Sequence, residues 1–183
     1  MRRIVTICLA FVLSSVLVKA QELIQGSFGS LMNTRVVTVQ LDLSQACVEG
    51  APLEDFLGLM SFEDGAQYQA AFQKDLRDIL ADFIDEFNDT NCPILLTVSP
   101  KPDTAMTIRV KEISRKGNCI SCDYQIASKA DNKPILTITM TSKDGRIGSF
   151  TNLMGDAFER AGKDLGKYIK KQLKNENKKK QNN

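Results

Sequence analysis

Four of the five cysteines, those beyond the first 20 residues, have the clearest potential for chemistry, because the sequence contains no histidine. They are Cys47, Cys92, Cys119 and Cys122. The last two have the spacing of a redox dithiol, which in thioredoxin-like enzymes lies at a helix N-terminus that lowers the thiol pKa. Here the pair lies between strand patterns, which favours a structural disulfide or buried unpaired thiols over redox chemistry.

The pairing of these cysteines stays open at this point. An even number in an exported chain suggests disulfide bonds. In a regular strand Cys119 and Cys122 would lie about 10 Å apart on opposite faces, beyond the roughly 7 Å between Cα atoms that a disulfide can span. Either the segment bends and closes a Cys119–Cys122 bond, or each cysteine pairs elsewhere or stays free. A four-cysteine zinc site would need a second close pair, which Cys47 and Cys92 do not form.

Other catalytic chemistry has little support in the sequence. Without histidine there is no Ser-His-Asp or Cys-His arrangement and no imidazole ligand for zinc. No nucleophile elbow, phosphate-binding loop or dinucleotide fingerprint is present. The densest carboxylates, between 75 and 89, fall on the predicted solvent side of a helix, where acids keep ordinary pKa values. We therefore predict a non-catalytic protein without a cofactor or a metal.

The first 20 residues have the layout of a secretory signal peptide. Arg2 and Arg3 precede an apolar run from 4 to 18, and small side chains favour cleavage between Ala20 and Gln21. The run is shorter than the roughly 20 residues of a spanning helix. Gln21 also stands where a bacterial lipoprotein has its acylated cysteine. We expect a soluble mature protein, periplasmic or secreted.

Cleavage would change the charge of the chain and leave it unevenly distributed. The segment 1–20 contains three of the 24 basic residues and none of the 22 acidic ones, so the formal charge changes from +2 to −1. Eight lysines lie between 163 and 180, against Asp164 and Glu176. This basic end favours an anionic membrane surface or an acidic protein over nucleic acid, given export. Complementing the helix dipole is the simpler explanation.

Hydrophobic periodicity predicts the elements that position these residues. Alternation with period two predicts strands at 35–43 and in three segments between 104 and 141, and a continuous apolar run predicts a buried strand at 94–98. Spacing of three and four predicts helices at 65–88 and from about 151 to 174. The Asp144-Gly145 turn predicts a hairpin, with 146–150 as a short last strand.

The sum of these elements predicts an α+β fold. We expect a two-layer sandwich, with a mainly antiparallel sheet of five to six strands and two long amphipathic helices on one face. Residues 35–174 would form a single domain. Residues 21–34 would be an N-terminal extension, and 175–183 a disordered basic and polar tail.

Two surfaces are candidates for binding a partner. One is the polar face that the strand pattern leaves uncovered, and the other is the basic last turns of the closing helix. The residues concerned are Thr107, Arg109, Lys111, Thr137 and Thr139 on the sheet, and Lys170, Lys171 and Lys174 on the helix. Threonine and long cations are also what an exposed strand face ordinarily carries.

Three segments carry a resemblance to known proteins. The runs 105–113, 143–146 and 148–156 resemble small exported α/β proteins of Bacteroides-like bacteria that have no assigned activity. The order of elements is similar to that of the periplasmic domains of curli-secretion and penicillin-binding-protein-activator lipoproteins. This resemblance implies an envelope domain that acts by protein contacts.

The leading hypothesis is an exported, non-catalytic binding or accessory domain of the bacterial envelope, whose partner is another envelope protein. One alternative is a small periplasmic thiol-redox protein that uses Cys119 and Cys122. The other is a peripheral binder of anionic membranes through the lysine-rich C-terminal helix.

Overall fold

The computed structural model describes residues 21–64 and 67–181. The predicted signal peptide, with Ala20 on one side of its cleavage bond, lies outside these residues. Among the helices described, none combines the length and the apolar character that crossing a membrane requires.

The described residues form eight strands and three α-helices. The strands are β1 (Gln21–Gly26), β2 (Val36–Asp42), β3 (Cys47–Val48), β4 (Ala51–Pro52), β5 (Leu95–Thr97), β6 (Thr104–Ile113), β7 (Cys119–Ser128) and β8 (Pro134–Lys143). The helices are α1 (Leu53–Asp64), α2 (Gln67–Asn88) and α3 (Phe150–Gln181), and a 3-10 turn covers Phe28–Leu31.

The sheet is open, and its strand order confirms the predicted α+β class. The main path runs β1-β8-β7-β6-β2-β5. The pairs β1/β8, β8/β7 and β7/β6 are antiparallel, whereas β2 is parallel to both of its neighbours. The two-residue strand β3 pairs with β4 and with the end of β6. These two short strands lie off the main path of six and bring the described sheet to eight.

The helices α2 and α3 cover one face of the sheet, as the periodicity predicts. Alternate side chains of the central strands point towards them, and Phe83 of α2 is fully buried at the contact. Its ring stacks on Tyr124 of β7 with centroids 6.0 Å apart, and meets Phe158 of α3 edge-on at 6.4 Å. Aromatic contacts of this kind add to the free energy gained from burial.

The backbones of α2 and α3 approach closely at Gly162. A Cβ atom at this position would overlap the Phe83 carbonyl oxygen, and one at Gly166 would lie 2.5 Å from the Thr90 Oγ1 atom. Glycine is therefore required for steric reasons where the two helices cross. Gly155, nearer the start of α3, has only an ordinary contact with Ile79, at 3.6 Å.

The segment 21–34, which we placed outside the domain, is packed into it. β1 pairs with β8 at the edge of the sheet, and Phe28 and Leu31 of the 3-10 turn are buried. Phe28 meets the ring of Tyr168 edge-on, with centroids 5.6 Å apart. The sequence conceals this strand because five of the six β1 residues are exposed, so β1 lacks the alternation of a half-covered strand.

Two further expectations were wrong. Residues 146–150 form no strand, because both edges of β8 are already occupied, by β7 and by β1. The tail expected to be disordered continues α3 as far as Gln181. Leu173, just before this tail, is buried, and within the tail Lys179 forms an ion pair with Glu176 at 2.8 Å.

Candidate functional site

The four cysteines of the described residues are free thiols in the structure, with no disulfide between them. Cys119 and Cys122 lie on β7 with side chains on opposite faces, so the strand keeps them apart as regular geometry requires. Cys122 is buried under the helices, whereas Cys119 is half-buried on the open face. Cys47 lies on the short strand β3, and Cys92 is buried after α2.

The environment of these thiols does not support redox chemistry. Burial raises the pKa of Cys122 to about 12, and it also raises the pKa of Cys92. A reactive cysteine needs the opposite, a lowered pKa and access to solvent. The structure therefore gives no support to a redox role for Cys122, and Cys119 does not form a dithiol with it because the two side chains lie on opposite faces of β7.

Thiol labelling checks this arrangement. In the chain beginning at Gln21, a disulfide reagent at pH 8 should modify Cys47 and Cys119 rapidly. Cys92 and Cys122 should react more than about a hundredfold more slowly, because they are buried and little thiolate forms. In urea all four should react, and Cys119→Ser should remove one fast thiol. Rapid labelling of Cys122 in the folded protein, or fewer than four thiols in urea, would contradict the structure.

Among the side chains that the structure describes, those of residues 21–62, 68 and 70–181, no group of three or more cysteine, aspartate or glutamate residues is arranged to hold an ion.

The open face of the sheet carries the first predicted partner surface, but its charges are already paired. Arg109 lies 3.3 Å from Asp42, and Lys111 lies 2.9 Å from Asp123. Thr139 also donates to Asp123. Burial raises the pKa of Asp123, but these hydrogen bonds outweigh it, and the net pKa is lowered. An internally neutralised face offers little net charge to a partner.

The remaining predicted residues lie on both layers. Thr107 and Thr137 flank Gln125 on the open sheet face. Lys170, Lys171 and Lys174 are exposed on α3, in the helical layer, and Lys170 donates to the Thr90 carbonyl at 2.9 Å. The fold therefore does not bring the two predicted surfaces together.

A groove of about 710 Å³ lies at one end of the sandwich, and the sequence did not reveal it. Four chain segments meet there: the β3–β4 hairpin, α1, the β6–β7 turn, and the loop from β8 into α3. The lining residues are Val48, Glu49, Ala51, Phe56, Leu59, Met60, Arg115, Lys116, Arg146, Ile147, Gly148, Phe150 and Leu153.

Turn chemistry holds the two loops of this groove in place. Gly117 has a φ of +89°, and its Cα packs against the Phe150 backbone so closely that a side chain would collide. Asn118 makes two hydrogen bonds to the loop that follows β8. Its backbone carbonyl accepts from the Asp144 N–H at 3.1 Å, and its side-chain amide donates to the Gly145 carbonyl at 3.3 Å. These contacts fix the β6–β7 turn beside the start of α3.

The groove has an apolar floor and a cationic rim. Phe56 and Phe150 pack at 4.9 Å between ring centroids and form part of the floor. The walls expose Leu59 at 67% and Ile147 at 96% of their surface. The sequence signal for this site is Ile147, a large apolar residue close to a turn, but the strand predicted at 146–150 included it.

Comparison with known proteins yields only distant structural likenesses. No protein-family model matches the chain, and no curated protein matches it. The PelC dodecamer of Paraburkholderia phytofirmans is similar at a TM-score of 0.40 and 7% identity, over 80% of this chain and 97% of that chain. A Xanthomonas campestris protein assigned to the DUF330 family model is similar at 0.38 and 13% identity, over 79% of this chain and 95% of that chain. Likenesses this loose give no information on function.

Proposed function

We propose that this protein is an exported, non-catalytic binding domain and that the groove is its binding site. The observation that supports the proposal is the groove itself, a recess with exposed apolar walls built from four separate segments. Its volume falls in the range of roughly 300 to 1,000 Å³ that is typical of ligand sites. Export rests on the predicted signal peptide, and an accessory role in the envelope follows from that compartment.

The exposure of apolar side chains around the groove favours binding. Ile147 is 96% exposed in a loop whose backbone is held by Asn118, and Leu59 lies across the groove on α1. Apolar side chains clustered in a concave surface usually mark a binding site, because water covers them at a cost in free energy. By contrast, Arg109 and Lys111 on the open sheet face are already paired with carboxylates.

A neutral fluorescent probe tests whether the groove binds apolar molecules, whatever polar group the natural ligand carries. Nile red should bind the mature protein saturably, with increased fluorescence from the apolar environment. The double substitution Leu59→Ser with Ile147→Ser should weaken binding about tenfold or more, because both walls lose apolar area. Fluorescence titration of the folded variants provides the measurement.

The control for this titration is Leu95→Ser. Leu95 is 51% exposed at the β5 edge and does not line the groove. Its substitution should leave the affinity for Nile red unchanged. Equal binding by the parent and the double variant would refute the groove as the binding site.

A further inference from the structure

Building on the proposed function, we infer that the occupant of the groove is a single-chain anionic amphiphile. Its acyl or alkyl chain would lie on the apolar floor, and its phosphate or carboxylate head would meet the cationic rim. The inference rests on two observations, the shape of the apolar recess and the charge around it.

The apolar part of the groove suits one hydrocarbon chain. Phe56, Phe150 and Leu153 line the recess, and Leu59 and Ile147 stand at its sides. A chain laid between them would cover apolar surface on the floor and on both walls. Burial of such surface is favourable in proportion to its area.

The rim of the groove has excess positive charge. Arg115, Lys116 and Arg146 line it, and Glu49 is the one acidic residue among the lining side chains that the structure describes. Glu49 lies 4.0 Å from Arg115, a long contact between two exposed groups. Among residues 21–62, 68 and 70–181, whose side chains the structure describes, no carboxylate comes within 4 Å of Lys116 or Arg146, unlike the paired cations of the open sheet face.

This excess charge favours an anionic head over other occupants. A phosphate or carboxylate would form charge-assisted hydrogen bonds with arginine and lysine. A second copy docked by the same surface would bring two cationic rims together, because a symmetric interface uses the same surface of both copies. A flat membrane surface would not fill a recess of about 710 Å³.

Calorimetric titration with two matched C12 amphiphiles tests the inference. Dodecyl phosphate and dodecyl maltoside, each below its critical micelle concentration, share the chain and differ in the charge of the head. Dodecyl phosphate should bind one per chain and about tenfold more tightly, since two or three exposed charge contacts distinguish the heads. Added salt should reduce this preference.

Rim variants separate the contribution of the head from that of the chain. Lys116→Gln with Arg146→Gln should bring the affinity for dodecyl phosphate close to that for dodecyl maltoside. The matched control is Lys171→Gln with Lys174→Gln, which removes two exposed lysines from α3 and should leave the preference unchanged. Circular dichroism of each variant verifies the fold.

Three results would overturn the inference. They are equal affinity for both amphiphiles, binding only to anionic phospholipid vesicles, and a concentration-dependent dimer that Ile147→Ser abolishes. If Nile red still binds the groove in these cases, the proposed function survives and only the ligand class is wrong. If Nile red does not bind either, both proposals fail.

Discussion

Phe83→Ala is expected to lower the free energy of unfolding by about 3–5 kcal/mol, the largest effect of any substitution considered. Phe83 has no exposed surface and contacts the aromatic rings of Tyr124 and Phe158, which belong to the sheet and to α3. Truncation would leave a cavity between three elements that are each held by other contacts. Since such a cavity collapses only partially, lost packing adds to the lost hydrophobic burial.

Urea denaturation of the chain beginning at Gln21 measures this effect. The matched control is Phe62→Ala, because Phe62 is a phenylalanine on α1 with 91% of its surface exposed. Its truncation should change the free energy of unfolding by less than about 0.5 kcal/mol. If Phe83→Ala lowers the free energy of unfolding by less than about 1 kcal/mol, the packing of α2 against β7 and α3 is not as described.

Gly162→Ala should also destabilise the protein, by about 1–3 kcal/mol. The added methyl group would overlap the Phe83 carbonyl oxygen, which belongs to the backbone of α2 and cannot rotate away. The two helices would have to separate, and the core contacts around Phe83 would weaken. The intrinsic preference of helices for alanine, about 1 kcal/mol, offsets only part of this cost.

The control for Gly162 lies on the same helix. At Gly155 a Cβ atom would lie 3.6 Å from the Ile79 Cγ1 atom, an ordinary contact. Gly155→Ala should therefore be neutral or stabilising in the same denaturation experiment. Opposite signs for the two substitutions would establish close helix contact at Gly162, whereas two stabilising results would exclude it.

Most of the fold could be predicted from local patterns. Met106, Ile108 and Val110 are all buried, and their alternation with polar residues predicts β6 and its orientation. The spacing of Phe72, Ile79, Phe83 and Phe87 similarly predicts the buried face of α2. These signals work because one covered face imposes a period on each element.

Long-range pairing was harder to predict. No local feature of β2 shows that it lies between β5 and β6 and parallel to both. The same difficulty explains the error at 146–150, since the Asp144-Gly145 turn is a strong hairpin signal. The hairpin does not form because β1, from the other end of the chain, already pairs with β8.

The groove could not be predicted from the sequence for a related reason. Its residues extend from Val48 to Leu153, and each segment contributes only a few of them. Lys116 and Arg146 are ordinary turn and loop residues in the sequence. In the fold, the Gly117 and Asn118 contacts help to place them around a common recess.

The pairing of β1 with β8 also sets an order of assembly. Gln21 is opposite Met140, and Gly26 is opposite Leu136, so a strand from the beginning of the described chain needs a partner more than a hundred residues later. β1 can take its place only when β8 has been synthesised and has reached the same compartment. Contacts this distant in sequence slow folding, because the chain loses the entropy of a long loop before it gains the pairing. In an exported chain, whose N-terminus emerges first, the earliest strand would be the last to join the sheet.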